Sequence, residues 1–447
     1  MNRIEVDTAI EYYNQLIADK FADVAEELTR AIKAENLISA GRPISSVLRP
    51  YFIDETTYQT IQSISTLLMH TLRDLVKYIS NNMELLCEFN LSKEEEMLLK
   101  NLPSHPSMIG RLDAFLSPQG DLRFLEYNSN PGDFTLDDRI TKVFHSLEVM
   151  KSFGKKYQVR SIYNLNMTFS SIISAQQEMG HSGVPTVGII GGKQAESLSE
   201  LLLMIEFGKR MGCQVLKAEL DQIGYRNQRL LIENRPLDIV FVLSWESLLS
   251  SNLKLALFDA LMRGSVRLLQ NPWDYFTIGQ KVLFTILTDT NYAHLFKPDT
   301  IKRLSSYIPW TRKLREGKTS YYDNSIDLVP FVYQNRDRLV LKPIRGLGGG
   351  GVVLGWECDN DAWNAAIKRG LDSSYVVQER VAVGRETFPI VVDGRLSFED
   401  YYFDMDPYVW QGSKVEGCLV RLSKTGLLNV SAGGGSMTPL FIVSKRI

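Results

Sequence analysis

Two short stretches carry residues whose types and spacing could do chemistry. Arg111 and Asp113 sit two apart in Gly110-Arg-Leu-Asp113, and Glu126 and Asn128 sit two apart in Phe124-Leu-Glu-Tyr-Asn-Ser-Asn-Pro-Gly132. Between them lie Ser117, Pro118, Gln119 and Gly120, a turn composition, so 109–128 reads as a β-hairpin. With a four-residue loop, position 116 faces 121, 113 faces 124 and 111 faces 126. Side chains alternate between faces with a period of two. Arg111, Asp113, Glu126 and Asn128 therefore share one face, and Leu112, Ala114, Leu125 and Tyr127 share the other. Two carboxylates and an amide oxygen beside one arginine make a hard-oxygen set suited to Mg²⁺, which takes one or two carboxylates plus substrate phosphates. Asp113, Glu126 and Asn128 are thus candidate metal ligands, and a nucleotide is the implied guest. The bland alternative is a solvated polar face on an edge hairpin.

The second informative stretch is Lys342-Pro-Ile-Arg-Gly-Leu-Gly-Gly-Gly-Gly-Val352. Gly346, Gly348 and Gly351 formally satisfy GxGxxG, yet a dinucleotide fold needs a helix next, and Val352-Val-Leu-Gly reads as strand. A Walker loop carries its lysine after the glycines, and here Lys342 precedes them. What remains is a hairpin loop able to lie over phosphates. Gly346, Gly348, Gly349 and Gly350 let backbone N–H groups approach the oxygens. Further on, Tyr375-Val-Val-Gln-Glu-Arg-Val381 reads as a strand whose backbone, with Gln378 and Glu379, could meet the base and ribose. Gly191-Gly192 could also cradle a phosphate at a helix start, but it lacks the full dinucleotide spacing and reads first as a plain strand-to-helix turn.

The elements that must position these residues are legible in outline. Ala9, Tyr12, Leu16, Ile17, Phe21, Val24, Leu28 and Ile32 recur at three- and four-residue steps, and a second helical pattern starts near Glu55, so 5–100 reads as packing helices. After the hairpin, 138–179 reads as helical. From Val184 short apolar strands (184–190, 214–220, 237–243, 266–269) alternate with helices (197–211, 252–263), which predicts a small parallel α/β layer. A helix is predicted over 275–288. The last hundred residues read as strand-rich, over 340–343, 351–356, 374–381, 388–392, 397–403 and 419–420.

Composition bounds the rest. The 447 residues are 44% hydrophobic and 23% charged, an ordinary globular balance, and a net charge of −2 gives no bulk attraction to nucleic acid or anionic membrane. Cys87, Cys213, Cys358 and Cys418 lack CxxC spacing and fit a reducing cytoplasm, and the five histidines form no metal-spaced cluster. The opening residues lack a signal-peptide pattern and no apolar run approaches membrane-spanning length.

With these motifs in hand, the chain resembles ATP-grasp ligases. The Gly110–Gly132 motifs look like the metal segment of D-alanine–D-alanine ligases, Val340-Leu-Lys-Pro with its glycines resembles the family's mobile phosphate loop, and Val376-Val-Gln-Glu resembles its hinge. The usual order puts the metal segment last. Here it comes far ahead of Lys342, which is similar to circularly permuted members such as glutathionylspermidine synthetase. The resemblance implies an α/β ATP-grasp fold in four parts: a helical extension (1–105), a metal-binding hairpin with helices (106–183), a pre-grasp α/β domain (184–272) and a nucleotide-binding region (273–447). It implies ATP and Mg²⁺ as cofactors. Lys342 and Lys281 would hold phosphates, and Arg111 and Arg421 would face the transferred phosphoryl group. Four consecutive glycines replace the serine-containing or Arg-Glu-Gly loops of relatives.

The function so implied is joining a small carboxylate to an amine through an acyl phosphate, with release of ADP and phosphate. The implied partners are small molecules, with no nucleic acid or membrane; a homodimer is compatible with these features. Two other readings stay open: a nucleotide-binding protein without catalysis, and a phosphotransferase without an amine acceptor.

Overall fold

The computed structural model describes residues 3–446 apart from 40, 118–119, 130, 132–133, 192–197, 323, 347–348, 426–427 and 429–434, and for 3, 39 and 198–201 the backbone only. The N-terminal pattern forms two helices, Arg3–Ala18 and Phe21–Ala34, where the periodicity alone suggested one run. Val24, Leu28 and Ile32 form the buried stripe of the second. Helix Glu55–Asn81 is capped by Asp54, whose carboxylate accepts from Thr57 N and Thr57 Oγ1 at 2.8 Å each. Its buried face carries Ile61, Ile64, Leu68, Leu72, Leu75 and Ile79. Arg73 on this helix pairs with the buried Asp274 at 2.6 Å, tying it to the segment that leads to Lys281.

The stretch 138–179 is not continuous helix. A strand, Tyr157–Arg160, separates the helices Phe134–Ser146 and Glu148–Phe153 from Asn164–Glu178. It pairs antiparallel with Leu440–Lys445, which pairs parallel with Tyr51–Ile53. A partner so distant in sequence leaves no local periodicity to read.

Thr186–Ile190, Gln214–Ala218, Ile239–Val242 and Arg267–Leu268 form an all-parallel four-stranded sheet, as the alternation predicts. Gly191 has φ +82° and donates to Ala218 O at 3.1 Å; Gly192 lies outside the described residues. A small antiparallel ribbon (Gly224–Arg226, Arg229–Ile232, Arg235–Pro236) is added to this layer, turning at Asn227-Gln228 and Glu233-Asn234, all four at positive φ.

Two antiparallel sheets frame the candidate site. One has the order Thr311–Lys313, Tyr375–Glu379, Leu339–Pro343, Val353–Leu354, with helix Asn360–Ser373, absent from the strand-rich reading, packed against it. The other has seven strands. Its main path runs Arg385–Val392, Arg395–Phe403, Lys414–Ser423, Asp406–Trp410, Ile109–Leu116, Leu122–Asn128, with Gly435–Thr438 beside Lys414–Ser423. The hairpin therefore completes a sheet whose other strands come from the end of the chain. No helix among the described residues is long and apolar enough to cross a membrane.

Candidate functional site

The hairpin forms, but its register differs from a four-residue loop. Leu116 pairs with Leu122, so the loop is 117–121, one residue longer than expected. Carried on unbroken, that register would set Glu126 opposite Leu112, on the apolar face. A β-bulge between Asp113 and Ala114 corrects it: Ala114 faces Phe124, whereas Asp113 faces Glu126 and Arg111 faces Asn128. Leu125 is the extra residue. The bulge re-aims the strand end, and all four polar residues share one face as the alternation predicts.

Asp113 is the hub. Its Oδ1 accepts from Arg111 Nε and Asn128 Nδ2 at 2.8 Å each, and its Oδ2 from Arg111 Nη2 at 3.1 Å and Arg421 Nη2 at 3.0 Å. Burial pushes the carboxyl up, but Arg111, Arg421 and these hydrogen bonds more than offset it and hold it well below the usual carboxylate range. Two further acids join it, Asp404 and Asp406. Arg421 donates from Nε to Asp404 Oδ2 at 2.7 Å, and its Nη2 lies 2.7 Å from Asp406 Oδ2. Burial, then repulsion from Asp113, drives both acids up, with Arg421 offsetting part of it.

On the same face Glu126 takes Lys281 Nζ at 2.9 Å on Oε2, and Lys281 Nζ also donates to Gly346 O at 3.0 Å. One lysine thus spans the hairpin and the glycine loop. It does not lie on a helix, as 275–288 had suggested. A π-helical turn (Asp274–Ile278) and the helix Leu283–Thr288 are separated by Gly279–Val282, and Lys281 sits in that break with its N–H on Ile344 O at 3.2 Å. At Gly279 an added Cβ would lie 2.9 Å from Asp274 O and 3.0 Å from Ser129 Oγ, so glycine permits the close turn.

Lys342 is half-buried and its Nζ donates to Gln378 Oε1 at 2.7 Å. Burial pushes its amine down to about 8; Glu126 and Asp113 pull the other way and Lys281 adds to the fall. Gly346, Gly349 and Gly351 have φ of +149°, +76° and +74°, values that suit glycine. Gly350 lies in the same turn, and Gly348 lies outside the described residues. At the root of this loop Arg345 makes two 2.7 Å contacts to Glu95, fastening the loop to the N-terminal helical region.

Tyr375–Glu379 is an interior strand, and the N–H groups of Glu379 and Arg380 go to Trp310 O and Arg338 O at 2.8 Å each. Gln378 is buried between Lys342 and Thr311 Oγ1 (3.0 Å). The Glu379 carboxylate accepts from Tyr321 OH at 2.8 Å and Tyr322 OH at 2.7 Å, so two phenols stand where ribose hydroxyls were expected. Asp404, Asp406, Tyr321, Tyr322 and Glu95 are all additions to the sequence-derived set.

The donor set fits a divalent ion in part. Asn128 turns Nδ2 to Asp113, so its Oδ1 points the other way, and Glu126 Oε1 is the oxygen turned from Lys281. An acid, an amide oxygen and substrate phosphates satisfy Mg²⁺. Asp113 fits less well as a ligand than expected, because four N–H donors already occupy its oxygens. No group of three or more His, Cys, Asp or Glu side chains among the described residues is placed to hold a metal.

Neither a protein-family model nor a curated protein matches the chain. Among solved structures it is similar in fold to a glutathione synthetase-like effector from Globodera pallida, at 11% identity and a TM-score of 0.59 over 94% of this chain and 97% of that one. A putative gamma-glutamylcysteine synthetase from Methylobacillus flagellatus KT aligns at 12% identity over 83% and 88% of the two chains, with a TM-score of 0.43. D-alanyl-alanine synthetase A from Vibrio cholerae O1 biovar eltor aligns at 12% identity over 58% and 90%, with a TM-score of 0.28. At these identities the likeness is one of fold, and it rests on the effector.

Proposed function

We propose that this chain is an ATP-dependent carboxylate–amine ligase of the circularly permuted ATP-grasp type, working through an acyl phosphate. One observation carries the reading. Four cations from four separate segments, Arg111, Lys281, Lys342 and Arg421, converge on the face that holds Asp113, Glu126 and Asn128. Such a field suits the developing charge of a phosphoryl transfer. Lys281 and Lys342 receive the phosphates, and the glycine loop covers them. Glu126 and Asn128 would hold Mg²⁺, which when bound draws charge off phosphate oxygens. A substrate carboxylate oxygen attacks the γ-phosphorus, the bond to ADP breaks, and an acyl phosphate forms while Arg111 and Arg421 face the transferred group. The amine nitrogen then attacks the carbonyl carbon, phosphate leaves with its oxygen, and the nitrogen gives up a proton. Small carboxylate and amine substrates and a cytoplasmic setting belong to this reading, as does the four-part division of the chain.

The test is nucleotide product analysis against a panel of acids and amines. ADP and phosphate in equal amounts with amide, and an acyl hydroxamate when hydroxylamine replaces the amine, are the expected result. Stoichiometric AMP and pyrophosphate would overturn the mechanism. The four-donor lock on Asp113 favours one second reading, nucleotide binding without ligation; absence of ATP turnover with every acid and amine, alongside Mg²⁺-dependent nucleotide binding, would select it.

A further inference from the structure

Asp404 lies in the short link between the strands Arg395–Phe403 and Asp406–Trp410, and Asp406 opens the second of these; both are far from the hairpin in sequence and are buried at 1% and 0% exposure. Asp404 takes the Arg421 backbone N–H on Oδ1 at 2.9 Å and Nε on Oδ2 at 2.7 Å. Asp406 takes Ala114 N on Oδ1 at 2.9 Å and sets Oδ2 at 2.7 Å from Arg421 Nη2 and 3.8 Å from Arg111 Nε. With Asp113, three carboxylates thus engage one edge of the Arg421 guanidinium, its Nε and Nη2. Among the described residues Nη1 has no partner, and the side chain keeps 17% of its surface open. Three carboxylates on the one Arg421 guanidinium are more than its single charge requires. What the extra acids add is direction, since a planar guanidinium held along one edge can present only the other.

We infer that Asp404 and Asp406 are positioning residues for the phosphoryl-transfer step: they grip the Nε–Nη2 edge of Arg421 and thereby aim Nη1 at the group being transferred. Asp406 also anchors the grip to the hairpin through Ala114, one residue from Asp113. A carboxylate in this place holds the cation before any substrate arrives, so the site meets the transition state without reorganising. The inference rests on the ligase reading above.

The experiment compares binding of Mg·ADP with binding of Mg·ADP plus aluminium fluoride, a mimic of the transferring phosphoryl group, by titration calorimetry on the full chain. In Asp404→Asn an amide N–H₂ replaces one acceptor oxygen and faces a guanidinium donor. The aluminium fluoride complex is expected to weaken by roughly tenfold to a hundredfold, with Mg·ADP affinity kept within about twofold. The double variant Asp404→Asn with Arg421→Gln is expected to lose no more than Arg421→Gln alone, because Asp404 acts through Arg421. It also removes both partners of the pair, so it keeps the comparison open should Asp404→Asn alone fold poorly. Equal losses for both ligands, no loss for either, or additive losses in the double variant would each overturn the inference. Failure of the wild-type chain to bind Mg·ADP would instead overturn the ligase reading.

Discussion

Lys342→Met separates a cation kept for a ligand from one kept for stability. Burial lowers the Lys342 amine from its ordinary 10.5 to about 8. At pH 7 both the folded and unfolded chains carry the proton, and a shift of that size means the folded protein pays about 3 kcal/mol to hold it. Half-burial screens the charge, which brings the cost to about 1.5 kcal/mol. Against this, the variant loses the 2.7 Å bond to Gln378, whose side chain is buried, at about 1 kcal/mol. The two nearly cancel, so the nucleotide-free variant is expected to lie within about 1 kcal/mol of wild type at pH 7. The pH dependence fixes the sign. Between pH 8 and 10.5 the unfolded chain binds more protons than the folded one, so wild-type stability rises with pH through this window and that of the variant gains nothing from this site. By pH 10 the variant should fall behind by a further ~1 kcal/mol. Urea unfolding at the two pH values measures both quantities, and calorimetry with a non-hydrolysable Mg·ATP analogue should show binding lost in the variant. A loss above ~2 kcal/mol at pH 7, or a gap that does not change with pH, would refute the reasoning.

Glu126→Gln and Asn128→Ala are expected to cut turnover on the order of a hundredfold with little change in melting temperature, whereas Asp113→Asn should in addition cost about 3 kcal/mol by taking from the buried Arg111 guanidinium the carboxylate that accepts from its Nε and Nη2; thermal unfolding beside product assays distinguishes them, and equal melting temperatures for all three variants would contradict the division. Nucleotide binding should draw Lys281 from Gly346 O towards phosphate and protect the chain from trypsin at Arg345; cleavage there at one rate with and without the Mg·ATP analogue counts against a lid.

How much of this was legible follows from how local each signal is. The Glu55–Asn81 helix announces itself through a capping aspartate and a 3.6-residue apolar stripe, and the parallel layer over 186–268 through the alternation of short apolar strands with helices. The strand Tyr157–Arg160 did not, since what makes it a strand is Leu440–Lys445, and tertiary pairing overrides a weak local preference. Helix Asn360–Ser373 was readable in principle. Asp359 is its N-cap, accepting from Ala362 N at 2.8 Å, and Trp363, Ala366, Ile367 and Gly370 form a buried face, but the apolar strands on either side carry the stronger local pattern.

The site divides along the same line. Period-two alternation places Arg111, Asp113, Glu126 and Asn128 on one face whatever the exact register, provided the number of extra residues is even. The longer loop and the Leu125 bulge supply one each, and they cancel. What alternation cannot supply is the identity of the neighbouring strand. Asp404 and Asp406 reach Asp113 because Asp406–Trp410 lies beside Ile109–Leu116 in the sheet, with Tyr408 opposite Arg111. Asp404-Met-Asp406 taken alone is two acids near a strand end, and nothing in it names Arg421 as their partner. The same limit applies to Glu379, whose carboxylate reads as a ribose acceptor until the hairpin Lys318–Tyr321 and Asn324–Asp327 is folded and brings Tyr321 and Tyr322 against it. A motif states which atoms are available, whereas the sheet order decides which of them are already engaged. Asp113 shows the consequence most directly: its place in the motif suggests a metal ligand, and its four donors make it the anchor of the arginines that would flank the metal.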